Sequence, residues 1–150
     1  MKKYLIASLA TSALMASSVA FATNNNNDLD DVQLTANAAV TVIAPGAVVN
    51  IPSIGTFLPV AARAGFVKNP FDFVVSANNA VVVQDNAANS AFGVAVGSNK
   101  GYGLYTGSAL GGSVAQCGGL IAKGTPNLAA SLVIPGNLIL ANANGCGRDL

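Results

Sequence analysis

The sequence predicts an all-β fold, a single β-sandwich or partly open β-barrel of about eight short strands with one disulfide. Three observations support this prediction. Apolar residues alternate along several segments, residues that favour turns recur about every ten residues, and Gly, Pro and Asn interrupt each window of residues 23–150 that would suit a long helix. Alternation with period two is typical of strands that bury one face.

The clearest strands lie in the middle of the 150-residue chain. Phe71–Val83 is rich in aromatic and β-branched residues and predicts either one long strand or two strands with a bend at Asn78–Asn79. Ala91–Gly97 alternates again. Ser98–Gly101 predicts a tight hairpin turn, because Asn and Gly accept positive φ, and Tyr102–Thr106 is the predicted return strand.

The first 22 residues have the pattern of a secretory signal peptide. Lys2 and Lys3 give a positive start, Leu5–Met15 is an apolar run, and Ala20–Ala22 supplies small residues before a cleavage site ahead of Thr23. The run is shorter than the ~20 residues that a membrane span requires. The sequence therefore predicts bacterial export to the cell surface or medium, with the periplasm as an open alternative, and no membrane span after cleavage.

Cleavage at that site would leave one domain. Removing residues 1–22 from 150 leaves 128, a size that suits a single core. Residues 23–31, TNNNNDLDD, offer nothing to bury and predict a flexible polar arm. Residues 32–150 are predicted to form a single all-β domain.

Charge is sparse, which excludes several classes of partner. Charged residues make up 9% of the chain, against about a quarter in an ordinary soluble domain. After signal cleavage five Lys and Arg face six Asp, which gives a net charge of −1. No basic patch is present in the sequence, so we expect no binding to nucleic acid.

The usual catalytic groups are missing as well. The chain contains no His, which removes Ser-His and Cys-His pairs and most zinc and copper sites. Asp72 and Asp85 are the two carboxylates of the central region. Asp72 lies between two phenylalanines and is expected to face solvent, and Asp85 is expected to cap a turn. We therefore predict that the protein is not an enzyme and needs no metal or cofactor.

Cys117 and Cys146 are the two cysteines of the chain. An even pair in an exported protein predicts a disulfide. It would close a loop of about 30 residues and add roughly 3–4 kcal/mol to the free energy of unfolding in the chain-entropy model.

Three aromatic residues near the predicted hairpin have two interpretations. Phe92, Tyr102 and Tyr105 could be cross-strand pairs that stabilise a sheet. They could also form a platform on which a ligand such as a sugar stacks. The ligand itself is not predicted.

The segment that follows the polar arm has the strongest alternation. Its apolar side chains occupy every second position from 32 to 42: Val32, Leu34, Ala36, Ala38, Val40 and Val42. One interpretation is the first strand of the protein's own sheet. The other is an assembly strand that completes the sheet of a neighbouring subunit and builds filaments head to tail.

Signal peptide, polar arm, alternating N-terminal strand and single disulfide together resemble, in architecture, secreted fimbrial subunits of the β-sandwich type. The late position of the cysteines differs from the usual pattern, so no family is named. The predicted function is a self-assembling, non-catalytic surface, fimbrial or matrix subunit. The alternative is a monomeric secreted domain that binds a carbohydrate or a cell-surface partner.

Overall fold

The computed structural model describes residues 27–123 and 133–148. Their regular structure is nine strands and four short 3₁₀ helices, which confirms the all-β prediction. The strands are β1 (Asn27–Asp28), β2 (Val32–Gln33), β3 (Ala39–Ile43), β4 (Ser53–Leu58), β5 (Phe71–Val75), β6 (Asn79–Asn86), β7 (Ala91–Ser98), β8 (Gly103–Ser108) and β9 (Ala115–Gln116). The 3₁₀ helices are Pro45–Ala47, Ala61–Arg63, Pro135–Asn137 and Ala143–Gly145. The predicted signal peptide and residues 23–26 lie outside the described residues.

The first sheet is centred on β4. Strand β5 pairs antiparallel with β4, with Phe71 opposite Phe57. Strands β1 and β2 both pair parallel with β4, β1 at its start and β2 at its end. The segment from Asn27 to Gln33 therefore runs alongside β4 as an interrupted edge strand.

The second sheet contains five strands in the order β3-β6-β7-β8-β9, and every neighbouring pair is antiparallel. Strands β6, β7 and β8 follow one another as a meander, and its second hairpin, β7 with β8, is the one that the sequence predicts. The turn between β7 and β8 is closed by the Ser98 hydroxyl oxygen, which accepts hydrogen bonds from the backbone N–H groups of Lys100 and Gly101.

Strand β6 is apolar on both faces because each face packs against a different layer. Val81 and Val83 contribute to a hydrophobic cluster shared with the first sheet. Ala80 and Val82 contribute to a second cluster on the opposite face. There, Val133, Leu138 and Leu140 of the C-terminal segment cover the sheet. A continuous apolar run is typical of a strand buried on both faces.

Two segments differ from the simplest sequence prediction. Phe71–Val83 is not one strand: it is divided between β5 and β6, which lie in different sheets, with Asn78 at φ 64° in the turn. The alternating segment 32–42 is also divided. Strand β2 belongs to the first sheet and β3 to the second, and the chain crosses between them at Asn37, with φ 58°. Alternation agrees with the burial or partial burial of Val32, Leu34, Val40 and Val42, but it does not indicate where the backbone turns, and the apolar residues at the crossing are exposed.

Part of the predicted polar arm is paired with the first sheet. Its described end, residues 27–31, contains β1, and the backbone N–H groups of Asn27 and Leu29 donate to the carbonyl oxygens of Pro52 and Ile54. Asn and Asp have low strand propensity, and pairing with β4 overrides it here.

Candidate functional site

A cleft opens between the two sheets on the side of β5 and β7. Its volume is about 370 Å³. The lining residues come from β4, β5, β6 and β7 and from the turn after β5: Phe57, Phe71, Phe73, Val74, Val75, Ser76, Asn79, Val81, Val83, Phe92, Val94 and Val96. None of these side chains is ionisable. The cleft is therefore suited to burying apolar groups.

Phenylalanine rings form the centre of the cleft. The ring centroid of Phe57 lies 4.1 Å from that of Phe73, 5.2 Å from that of Phe71 and 6.1 Å from that of Phe92. The two longer distances lie within the range of roughly 4.5–7 Å that is usual for aromatic pairs in a core, and the Phe57–Phe73 pair is closer. Gly55 makes the arrangement possible, because a Cβ atom at that position would lie 2.9 Å from Cζ of Phe73.

The sequence did not single out Phe57, Phe71 or Phe73 as site residues. A signal for Phe71 and Phe73 was present in their i, i+2 spacing, which places both rings on one face of a strand. Phe57 joins them through strand pairing between segments that are distant in sequence, and periodicity carries no information about that pairing.

The N-terminal segment, residues 27–34, lies at the opposite edge of the first sheet. Leu34 is 2% exposed, and its backbone N–H donates to the carbonyl oxygen of Leu58 at 3.0 Å. Leu29 and Val32 pack against the cluster between the sheets. This segment thus contributes three apolar side chains to the core from the edge of a sheet.

The other predicted assembly residues are distributed over both sheets and the crossing. Val40 and Val42 lie in β3 and pack against the cluster between the sheets. Ala36 and Ala38 are exposed at the crossing, where Ala36 forms a single bridge with Asp85. Val32 and Leu34 are therefore the residues of this set that belong to the terminal segment.

The structure does not bring the three predicted ligand aromatics together. Phe92 joins the phenylalanines of the cleft. Tyr102 packs against the hydrophobic cluster on the opposite face of the second sheet. Tyr105 is 42% exposed and lies opposite Val96, on the face that carries the cleft.

Asp85 is a buried carboxylate whose role the sequence did not reveal. It is 0% exposed and lies within β6, so it does not cap a turn as expected. Its Oδ1 accepts the backbone N–H of Phe66 at 2.6 Å, and its Oδ2 accepts that of Val67 at 3.0 Å. The side chain holds the β4–β5 connection onto the second sheet. Asp72 instead is exposed and accepts the Thr56 hydroxyl at 2.9 Å on the outer face of the first sheet.

The predicted disulfide is confirmed. Cys117 and Cys146 are bonded, with their Cα atoms 5.3 Å apart. The bond joins the end of β9 to the C-terminal segment, whose leucines cover the second sheet. The guanidinium of Arg148 reinforces the link by donating to the Cys117 carbonyl oxygen at 3.5 Å.

Across residues 27–123 and 133–148, no helix has the length and apolar character to cross a membrane, and no group of three or more His, Cys, Asp or Glu is placed to hold a metal ion. The chain matches no known family model, no curated protein and no solved structure.

Proposed function

We propose that the protein is an exported bacterial structural subunit, without catalytic activity, that assembles with copies of itself at the cell surface, in a fimbria or in a matrix. Its two sheets form an open β-sandwich, and the exchanged element is the N-terminal segment, residues 27–34. The observation that carries this proposal is the position of that segment, a terminal edge strand in parallel pairing with β4.

The same contacts are available within one copy and between two copies. Residues 27–34 reach β4 through backbone hydrogen bonds from Asn27, Leu29 and Leu34, and through three buried or half-buried apolar side chains. An identical segment from a neighbour would make identical bonds, so exchange costs little once the segment detaches. Each copy would donate its segment to the next. Such a contact is heterologous and does not close, so it builds a filament.

Export is supported by the disulfide and by the front of the sequence. A disulfide with one buried partner, Cys117 at 0% exposure, is typical of a protein that folds in an oxidising compartment. Low charge and strands of high β-propensity weaken the usual protection against strand pairing between molecules, which suits a subunit that assembles.

The exchange proposal predicts that the chain from Thr23 forms filaments and that a variant beginning at Thr35 does not. This variant lacks β1, β2 and Leu34 but keeps β3 to β9 and both cysteines. A synthetic peptide of residues 23–34 should bind the shortened variant, because it restores the pairing with β4. Negative-stain microscopy and light scattering measure assembly, and fluorescence anisotropy of the labelled peptide measures binding.

The matched control is the same peptide with Leu34→Asp, which places a charge in the apolar site and should bind at least tenfold more weakly, a loss of about 1.4 kcal/mol or more. Filaments formed by the shortened variant would contradict strand exchange. A monodisperse monomer of the longer chain that takes up no peptide would also contradict it.

The open cleft favours a second candidate function, a monomeric secreted domain that binds a carbohydrate or a cell-surface partner. Phe92 and the exposed ring of Tyr105 lie on the cleft side of the second sheet. If this candidate is correct, a glycan array should show binding by a monomer, and Tyr105→Ala should weaken it about tenfold or more, since aromatic stacking on a ring is worth roughly 1–3 kcal/mol. Binding unchanged by Tyr105→Ala would exclude a site at this tyrosine.

A further inference from the structure

The second sheet extends beyond the first, and the excess is apolar. Among the described residues the first sheet ends at β5, which pairs with β4 alone. The second sheet continues past the cleft through β8 to β9. We use the term open face for the cleft side of β7 to β9 and the turns beside them. It is formed by Val94, Val96, Tyr105, Val114 and Leu120.

Strand register places these side chains on one surface. Val96 is opposite Tyr105, and Val94 is opposite Gly107, so all four residues share the face that lines the cleft. The two glycines of β8 on this face are covered by residues that flank β9, at the edge of the same sheet. Val114 lies over Gly107, with its Cγ2 2.9 Å from where a Cβ would be, and Leu120 lies over Gly103 at 3.3 Å.

The open face remains accessible to solvent. Tyr105 is 42% exposed, Leu120 65% and Val114 73%. The reverse side of the same strands is covered, because Leu138 and Leu140 pack there. The reverse side of β7 to β9 therefore has a packed layer from the described chain. On the cleft side, Val94 and Val96 of β7 pack partly against the cluster between the sheets, and the described chain places no layer over Tyr105, Val114 and Leu120.

We propose that a second copy of this chain covers the open face, with the two open faces stacked about a two-fold axis. In each copy the second sheet projects beyond the edge of β5, so the projecting strands have no first-sheet strand opposite them. Turning one copy over places its projecting strands in the space beside β5 of the other copy. The edge of β5 in one copy meets the edge of β9 in its partner, so that both edges gain a neighbour.

The spacing of packed sheets and the absence of charge both favour a second copy of this chain as the partner. Packed sheets lie about 10 Å apart, and the partner's projecting strands would lie at the same height as the first sheet. None of the five open-face residues carries a charge, so identical surfaces meet without repulsion. A small apolar molecule would fill the cleft but would leave Val114 and Leu120 exposed at the far edge.

The contact is small, which sets its expected strength. Three strands at about 4.8 Å each give a width of ~14 Å. The surface area that each copy would bury in this contact is therefore below the ~800 Å² per partner of a standard stable interface. We therefore expect a reversible dimer with a dissociation constant in the micromolar range. The open-face dimer does not depend on exchange of the N-terminal segment. If filaments form by that exchange, the open-face contact would join neighbouring filaments side by side.

Cysteine cross-linking of the full chain from Thr23 tests the proposal. Tyr105 lies in β8, near the centre of the stacked strands, so Tyr105→Cys should form a covalent dimer rapidly under mild oxidation. The matched control is Val74→Cys. Val74 is more exposed, at 71%, and shares the outer face of the first sheet with Asp72, two residues before it in β5. In the proposed dimer β5 meets the partner's β9, but the two Val74 side chains point away from each other. We expect cross-linking at least tenfold slower there, as seen on non-reducing gels at equal protein concentration.

Equal rates for the two cysteine variants would overturn the proposal. A second measurement leaves the native cysteines alone: Tyr105→Glu should raise the dimer dissociation constant at least tenfold in sedimentation equilibrium, and an unchanged constant also overturns it. The outcome is separable from that of strand exchange. Dimers without filaments would leave the open-face pairing standing and remove the exchange mechanism, and filaments without Tyr105→Cys dimers would do the reverse.

Discussion

Replacing Asp85 by Asn lowers the free energy of unfolding by about 3 kcal/mol, because it leaves a buried backbone donor without an acceptor. Both carboxylate oxygens are in use: one accepts the N–H of Phe66 and the other that of Val67. Asparagine has a single acceptor oxygen, so its amide nitrogen would face one of these donors. Asp85 is 0% exposed and its bond to Val67 is buried, so we expect water not to replace that bond when it is lost.

Gly65 shows how closely the connection fits this carboxylate. A Cβ atom at Gly65 would overlap the carboxyl group of Asp85. The chain next to it is also strained, since Ala62 and Arg63 have φ of 53° and 56°, in a region that residues with a side chain rarely adopt. The carboxylate therefore offsets a local conformational cost, and its loss should release the connection first.

Urea unfolding followed by circular dichroism measures the effect, since the chain has no Trp to report by fluorescence. The matched control is Asp72→Asn, in which the remaining oxygen still accepts the exposed Thr56 hydroxyl. We expect a change within about 0.5 kcal/mol for this control. A similar small change for Asp85→Asn would show that the buried carboxylate does not hold the connection. Faster hydrogen exchange at Phe66 and Val67 would locate the loss.

Removing the disulfide lowers the free energy of unfolding by about 3–4 kcal/mol. The bond closes a loop with a sequence separation of 29. It also fixes the segment that carries Leu138 and Leu140 against the second sheet. The double variant Cys117→Ser, Cys146→Ser should unfold at a lower urea concentration, and hydrogen exchange should show the earliest opening at residues 138–146.

The control for this prediction is the wild-type chain reduced in denaturant and refolded with thiol present, which should match the double variant. Cys117 is 0% exposed, so we expect the native bond to resist reducing agents until the chain opens. An unchanged urea midpoint for the double variant would contradict a stabilising role for the bond.

The sequence predicts those parts of this fold that depend on local pattern. The hairpin of β7 and β8 follows from the alternation in Ala91–Gly97 and from the turn-forming residues Ser98–Gly101. The pairing of β6 with β7 was not predicted. The disulfide follows from counting cysteines. The division of Phe71–Val83 into two strands was one of two open predictions, and Asn78 accommodates the positive φ that makes the turn.

The candidate sites are harder to predict because they depend on pairing between distant segments. No periodicity indicates that Val32 pairs with Phe57 in the parallel direction, and so a polar arm was expected up to Asp31. The cleft requires that the first sheet be narrower than the second, which is a property of the whole sheet. The hydrogen-bond partners of Asp85 lie 18 and 19 residues away along the chain. Its neighbours in sequence therefore gave no sign of them and indicated a turn residue instead.

The parallel course of residues 27–34 beside β4 determines how the molecule would respond to a pulling force. The backbone bonds of Asn27, Leu29 and Leu34 are spread along the length of β4. A force along the strand axis loads these bonds together in shear, whereas a force across the axis would break them one after another. Tension applied along this strand would therefore be shared among several bonds, and the segment would slip only when all of them fail at once.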